Sequence, residues 1–273
     1  MKPQYIALIK DTFYKELRSK TLIFIFLATT ASIVLGHLIL TAFNNDLGGA
    51  GGVNNIGLAG VNVLSINFRI LNSISFIIAT VFGVSVFRSD FENNIIYQYL
   101  SFPISRTEYF FSRIIGTWLL VMAYYAYAYL LSAILFSLAF KTFILTPMHF
   151  LSFFILGVYL LLVIFISIFF SLIMNKIGAL FATFATCIAA AISYGVFSVL
   201  PLSETFSQMS FFKLTGFVVY YLFPRISFLD SISSALLLDG KLDINLWQQS
   251  LHLIVISGAY VYLANRLVNR KDF

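Results

Sequence analysis

Residues able to carry chemistry are few in this chain, and they are scattered. His37, His149 and His252 are the only histidines. A metal site needs three or four converging ligands, so each is expected to be an isolated, hydrogen-bonded or interfacial imidazole. Cys187 is the sole cysteine and lies in an apolar run; it forms no intrachain disulfide and says nothing about redox compartment. With five methionines besides, soft-ligand copper chemistry is not favoured either. There is no H-E-x-x-H, no G-x-S-x-G and no paired acidic cluster of the kind that holds magnesium on a diphosphate. Gly240 and Lys241 lack the upstream glycine and following hydroxyl of a phosphate-binding loop. The expectation is a chain without catalysis, with no metal and no nucleotide of its own.

One segment does concentrate charge and aromatic surface. From Phe87 to Arg113 the chain reads F-R-S-D-F-E-N-N-I-I-Y-Q-Y-L-S-F-P-I-S-R-T-E-Y-F-F-S-R. Arg88, Asp90 and Glu92 crowd one end. Ile95, Ile96, Tyr99 and Leu100 follow at helical spacing, Pro103 forces a break, and Ser105 with Glu108 three residues later forms a capping box for the next helix. A short helix with a charged and aromatic face suits docking into a groove of a soluble partner; the plainer reading is a connector lying in the membrane interface. The N-terminal stretch Tyr5 to Lys20 is a second such segment. Ile6, Ile9, Phe13 and Leu17 fall on one helical face, with Lys10, Lys15, Glu16, Arg18 and Lys20 available for the other, as in a helix lying along lipid headgroups.

What positions these segments is a bilayer. Charged residues make up 10% of the chain and hydrophobic ones 60%, against an ordinary ~25% charged, and mean hydropathy is +0.94. The 31 Phe and 15 Tyr exceed what a single aqueous domain of this size buries, which excludes a water-soluble enzyme. A net charge of +6 and a pI near 9.3 would suit nucleic acid, but the charges sit in short clusters between apolar runs, as membrane anchors do. No nucleic-acid partner is expected.

A helix needs roughly 20 apolar residues to cross the hydrocarbon. Six runs qualify: Thr21 to Phe43, Ile70 to Phe87, Ile114 to about Phe140, Met148 to Met174, Ala179 to Leu200, and Leu246 to about Leu267. They are continuous rather than alternating, so helices are expected and not barrel strands. The first is too long for a usual signal-peptide core and no A-x-A site follows it, so it is expected to be a retained span. With a cytoplasmic N-terminus, Lys2, Lys10, Lys15, Arg18, Lys20, Arg88, Arg106, Arg113, Lys176, Arg266, Arg270 and Lys271 share one side, and Arg69, Lys141, Lys213, Arg225 and Lys241 the other. That is twelve against five, which predicts both termini in the cytoplasm. The fold class expected is an all-α polytopic membrane protein. Residues 1–273 form a single transmembrane domain, with an interfacial helix over 1–20 and a cytoplasmic segment over 88–109.

On the opposite side, Asn44 to Asn62 is rich in glycine and asparagine and reads as a flexible outer loop. In residues 201–245 the apolar stretch Gly216 to Phe223 is too short to cross before Pro224 ends it, so it lies in the interface or re-enters. Ser227 to Asp239 reads as a short amphipathic helix stopped by Gly240. The span cores hold no Asp or Glu; Asp46, Glu204, Asp230, Asp239 and Asp243 all fall in outer loops. Ion-coupled transport, which builds its site on such a carboxylate, is disfavoured. Tyr124, Tyr125, Tyr127 and Tyr129 are candidates for lining a path for an amphipathic substrate, or for packing. In the fifth run, Gly178, Ala179, Ala182, Ala185, Ala189, Ala190 and Gly195 allow close helix approach, within one chain or between two copies. Arg69, beside Asn67 and Asn72, reads as a snorkelling anchor.

Ser101-Phe102-Pro103-Ile104-Ser105-Arg106-Thr107-Glu108-Tyr109, preceded by Glu92 and an apolar helix, resembles the first cytoplasmic loop of ABC-2-type permeases, the membrane subunits of ATP-binding-cassette exporters. Lys15-Glu16-Leu17-Arg18-Ser19-Lys20 looks like that family's N-terminal helix, and Asn269-Arg270-Lys271-Asp272-Phe273 like its basic C-terminal end. The chain departs from the pattern at Asn94-Ile95, where Gly-Thr is common, and at Ser112-Arg113, where Gly-Lys is. The resemblance implies an export permease acting as a dimer with a second permease copy in the bacterial inner membrane among membrane lipids. A separate cytoplasmic ATPase would bind ATP and Mg and engage Arg88, Asp90, Glu92, Ile96, Tyr99 and Arg106 through a coupling helix. In that reading Tyr124, Tyr125 and Tyr127 are the candidates for lining the path, and Ala182, Ala185 and Ala189 those for packing the dimer, with packing inside one chain the alternative for both sets. The alternative is a membrane scaffold or anchoring subunit that holds an ATPase without moving substrate, and third comes a lipid-modifying membrane enzyme.

Overall fold

The computed structural model describes residues 3–18, 20–48, 56–92, 95–101, 103–140, 145–198, 210–237 and 245–270. Among them the chain is helical, without strands: α1 Pro3–Leu17, α2 Lys20–Gly48, α3 Ile56–Glu92, α4 Ile95–Leu100, α5 Arg106–Phe140, α6 Pro147–Ile173, α7 Lys176–Phe197, α8 Phe211–Leu222, α9 Ile226–Leu237 and α10 Leu246–Arg270. Five helices are long and apolar enough to cross a membrane: Asn67–Glu92, Arg106–Leu138, Pro147–Ile173, Lys176–Phe197 and Leu246–Arg270. The sharply bent pair Gln4–Leu17 and Leu22–Leu38 makes six if it counts as one span. The protein is an all-helical, multi-pass membrane protein.

The apolar helix α6 runs through the middle of the bundle, with Leu156, Leu160, Val163, Ile164 and Ile168 fully buried, and it packs against α3, α5, α7, α9 and α10. Small residues set how closely it approaches its neighbours, because in lipid helices gain more from backbone proximity than from burying apolar surface. A Cβ at Gly83 of α3 would stand 2.8 Å from Ser167 Cβ and 3.3 Å from Ile164 Cα. Trp118 of α5 donates its indole N–H to Gly157 O at 2.8 Å, pinning α5 to α6 at a position where the glycine leaves the carbonyl accessible.

Helix ends follow local chemistry. Ser105 Oγ accepts from Glu108 N at 3.1 Å while Glu108 Oε2 accepts from Ser105 N at 2.9 Å, the reciprocal box expected from sequence. Pro147 stands in the first turn of α6, which Thr146 and His149 close in the same manner. Asn175 caps α7 by accepting from Gly178 N at 2.8 Å. Pro224 separates α8 from α9 as expected, and α9 covers Ile226–Leu237 where Ser227 to Asp239 was anticipated; Gly240 lies outside the described residues. The pair folds back on the bundle through Ser152, whose Oγ lies 2.7 Å from Ser233 Oγ and donates to Ser233 O.

The helices outrun the apolar runs read from the sequence. The expected loop Asn44 to Asn62 is helical at both ends, since α2 runs to Gly48 and α3 starts at Ile56. At the other face, α3 continues past Phe87 to Glu92, and α5 starts at Arg106, as the Ser105 and Glu108 box anticipates, ahead of the apolar run from Ile114. Once a span has nucleated a helix, each added residue gains a hydrogen bond for the fixing of one residue. The helix therefore outlasts the apolar run that reveals it.

Candidate functional site

The extensions of α3 and α5 beyond their apolar runs bring Asp90 and Arg113 to the same level, with α4 between them in sequence. Both side chains are 0% exposed. Arg113 Nη2 lies 2.7 Å from Asp90 Oδ2. Tyr109, one turn before Arg113 on α5, donates its hydroxyl to the same carboxylate oxygen at 2.6 Å. Lys15 of α1 reaches Asp90 Oδ1 at 2.8 Å and Ser89 Oγ at 3.0 Å. Arg113 Nη1 donates to Thr12 Oγ1 at 2.6 Å and to Asp11 Oδ2 at 3.1 Å. Two cations and two carboxylates thus form an electroneutral group. That neutrality matters: a lone buried ion costs several kcal/mol, and pairing with further hydrogen bonds is what offsets it.

α4 joins through two side chains. Ile96 is 2% exposed in the main core. Tyr99 donates its hydroxyl to Asp11 Oδ2 at 2.6 Å, and its ring carries the Arg113 guanidinium at 4.6 Å from the centroid, a cation–π contact. Burial and the hydrogen bond to Asp11 push the Tyr99 hydroxyl pKa above its ordinary value. Tyr97, Gln98 and Ser101 point outward. One short helix is therefore held by α1, α3 and α5 together and still presents a polar and aromatic face.

α1 reaches this group because α5 offers Gly116. A Cβ there would stand 2.6 Å from Thr12 Cβ and 3.0 Å from Ile9 O, so only glycine lets the two helices lie this close. The inward stripe of α1 is Leu8, Thr12 and Glu16. Lys15 and Glu16, read from sequence as available for the polar side of an interfacial helix, turn toward the cluster. Burial pushes the Glu16 carboxyl above the usual carboxylate range, with Lys15 beside it opposing. Ile6 and Leu17, 41% and 40% exposed, keep an apolar stripe facing away from the bundle, and Lys10 and Arg18 are exposed.

Of the residues expected to meet an ATPase, the structure separates an inner set from an outer one. Asp90 and Ile96 are enclosed, and Tyr99 is half-buried in the cluster. Arg88 and Glu92 pair with each other at 3.0 Å across one helical turn on the exposed side. Arg106 donates to Asn269 O at 3.1 Å, tying the end of α10 to the start of α5.

The tyrosines of α5 pack against neighbouring helices. Tyr124 and Tyr125 are 1% and 0% exposed. Tyr124 meets Thr29 of α2 at 2.6 Å, Tyr125 donates to Asn72 of α3 at 3.2 Å, and Tyr129 to His149 O of α6 at 3.0 Å. Successive ring positions point around the helix, and each pins a different neighbour. Tyr127, bonded to Thr30 at 2.9 Å, is the partly exposed one. On α7, Ala185 is exposed while Ala182 and Ala189 are half-buried, leaving an outward strip between Phe181 and Ile188.

At the far end of α3 a cavity of about 570 Å³ is lined by Arg69, Asn72, Tyr159 and Asp230, among others. Asp230, assigned from sequence to an outer loop, lies on α9. Among the described residues no group of three metal-ligating side chains converges.

Sequence reasoning missed Arg113, Asp11, Thr12 and Tyr109 as members of one site. The signal was available. A carboxylate just after one apolar run and an arginine just before the next, joined by a short hairpin, must come to the same depth. No family model matches this chain, and no curated protein matches it.

Proposed function

We propose that this chain is the membrane-spanning subunit of an exporter driven by a separate cytoplasmic ATPase, with α4 as the element the ATPase moves. In this reading six spans cross the membrane, α2 being the first and α1 an interfacial helix with its Ile6 and Leu17 stripe in the lipid. Both termini and α4 are cytoplasmic, in keeping with the twelve-to-five distribution of Lys and Arg. The outer face of α4, with Arg88 and Glu92 beside it, receives the ATPase, and a second permease copy completes the pathway.

The observation that carries the reading is the attachment of α4. A six-residue helix has too few hydrogen bonds to be rigid alone. Here Ile96 seats it in the apolar core and Tyr99 fixes it to an ion-paired group spanning α1, α3 and α5, so a displacement of α4 is shared by three helices at once. Coupling needs such an element with its own packed contacts, not proximity alone. Energy delivered in this way also fits apolar runs that hold no Asp or Glu in the sequence.

The test keeps the fold and changes the surface. Arg88→Glu with Glu92→Arg retains an intrahelical pair and inverts the charge pattern beside α4. Purified from its native membrane, the unaltered protein is expected to bring down an ATPase with a phosphate-binding loop, and the swapped variant at least about tenfold less at equal thermal stability. Undiminished ATPase recovery from the swapped variant that also carries Tyr97→Ala contradicts the proposal. A complex whose ATP turnover moves no lipid, peptide or drug across reconstituted vesicles identifies a scaffold instead.

A further inference from the structure

The structure points to a second ligand site at the opposite end of the bundle, and we propose that Arg225 holds the phosphate of an anionic phospholipid. Arg225 lies between α8 and α9 and is 3% exposed. Its Nη1 donates to Gln249 Oε1 at 2.8 Å and its Nε to Tyr220 O at 3.4 Å, and its guanidinium covers the Tyr220 ring at 3.8 Å. Every one of these partners is neutral. Among the described residues no carboxylate lies within ion-pair distance of Arg225, in contrast to Arg113, which meets two. A buried cation without an anion is the costly half of an ion pair. Neutral hydrogen bonds and an aromatic face offset only part of that cost.

On one side Arg225 lines a cleft of about 410 Å³, to which the described residues contribute no carboxylate. The cleft continues along Trp247, Leu251 and Val255 of α10, which are 78%, 51% and 58% exposed. These positions fall on one face of a membrane-spanning helix at intervals of four residues. Depth selects the occupant. Gln249 is the fourth residue of α10, so Arg225 lies about 5 Å below the helix start by helical rise. That is the level of the headgroup layer, which is about 5–7 Å deep on each side of the hydrocarbon. A group with a negative charge at that depth and an acyl chain running along Leu251 and Val255 is a phospholipid with net negative charge. Trp247, at the start of the helix, occupies the depth where indoles collect in membranes. This site is independent of α4 and of any ATPase.

Trp247 reports on the site directly, since the chain has two tryptophans and the other, Trp118, is held between α5 and α6. The full chain is reconstituted in phosphatidylcholine vesicles containing equal mole fractions of brominated phosphatidylglycerol or brominated phosphatidylcholine. Quenching of Trp247 is taken as the difference from Trp247→Phe. The expected result is an apparent preference of about fivefold for phosphatidylglycerol, the size of one basic contact at a lipid surface. It should be lost in Arg225→Gln and retained at least by half in Arg225→Lys. Equal quenching by both lipids in the unaltered protein overturns the proposal whether or not the variants fold. Absence of quenching by either lipid also overturns it, because the cleft is then covered by protein. A preference abolished by millimolar inorganic phosphate overturns the lipid assignment in favour of a soluble anion.

Discussion

Asp90→Ala is expected to destabilise the protein by about 3–5 kcal/mol, the cost of leaving one member of a buried ion pair without its partner. Arg113 is the reason. It is fully buried against Asp90, and once the carboxylate is gone its remaining anion is Asp11, which is itself 45% exposed. Tyr109 loses its acceptor and Lys15 its anchor in the same change. Lys15 is 32% exposed and can return to water; Arg113 cannot. The double variant Asp90→Ala with Arg113→Met should therefore recover more than half of the loss, because no unpaired charge is left inside while Lys15 and Asp11 are solvated. Unfolding midpoints of the purified variants in mild detergent measure this as a double-mutant cycle. If Asp90→Ala behaves like a surface substitution, within about 0.5 kcal/mol, the cluster is not what holds this end of the bundle.

The second large effect comes from a residue with no charge. Gly116→Ala places a methyl 2.6 Å from Thr12 Cβ and 3.0 Å from the Ile9 carbonyl oxygen. Neither contact can relax by a side-chain rotation, since Thr12 Cβ is fixed by its own backbone and the second contact is a backbone carbonyl. α1 must move off α5, and with it go the contacts of Arg113 to Thr12 and Asp11 and of Lys15 to Asp90. Overpacking alone costs about 1–3 kcal/mol, and the separation of α1 should show as faster tryptic cleavage at Lys10, Lys15 and Arg18. Gly195 and Gly258 are the controls. Both lie in helices with nothing within 4 Å of an added Cβ, so alanine there should be neutral or slightly stabilising by helix propensity. Equal behaviour of all three glycines would remove the close approach of α1 and α5 as an explanation.

How far these features could be read beforehand depended on the kind of signal. Apolar run length is set by the hydrocarbon thickness, so the candidate spans were legible. The Ser105 and Glu108 cap was legible too, because it needs only two residues at a fixed spacing. The far end of α3 was not, since Arg88 to Glu92 carry no hydropathy signal and are helical by propagation. On α1 the apolar stripe Ile6, Ile9, Phe13 and Leu17 was legible from helical spacing, but the inward stripe Leu8, Thr12 and Glu16 was not, because nothing local marks Thr12 and Glu16 as facing Arg113. Asp90 shows the same limit: a charged residue next to an outward-looking helix reads as surface until its partner, twenty-three positions on at Arg113, is placed beside it.

The proposal that α4 is the point of attachment for a cytoplasmic motor is tested most directly at Tyr97, the 53% exposed aromatic on its outer face. A photoreactive phenylalanine analogue at this position, activated in native membranes, is predicted to yield one protein adduct: an ATPase carrying a phosphate-binding loop, lost when Arg88 and Glu92 are exchanged. Adducts with lipid alone, or modification of this position only by reagents confined to the outer side of the membrane, would contradict it.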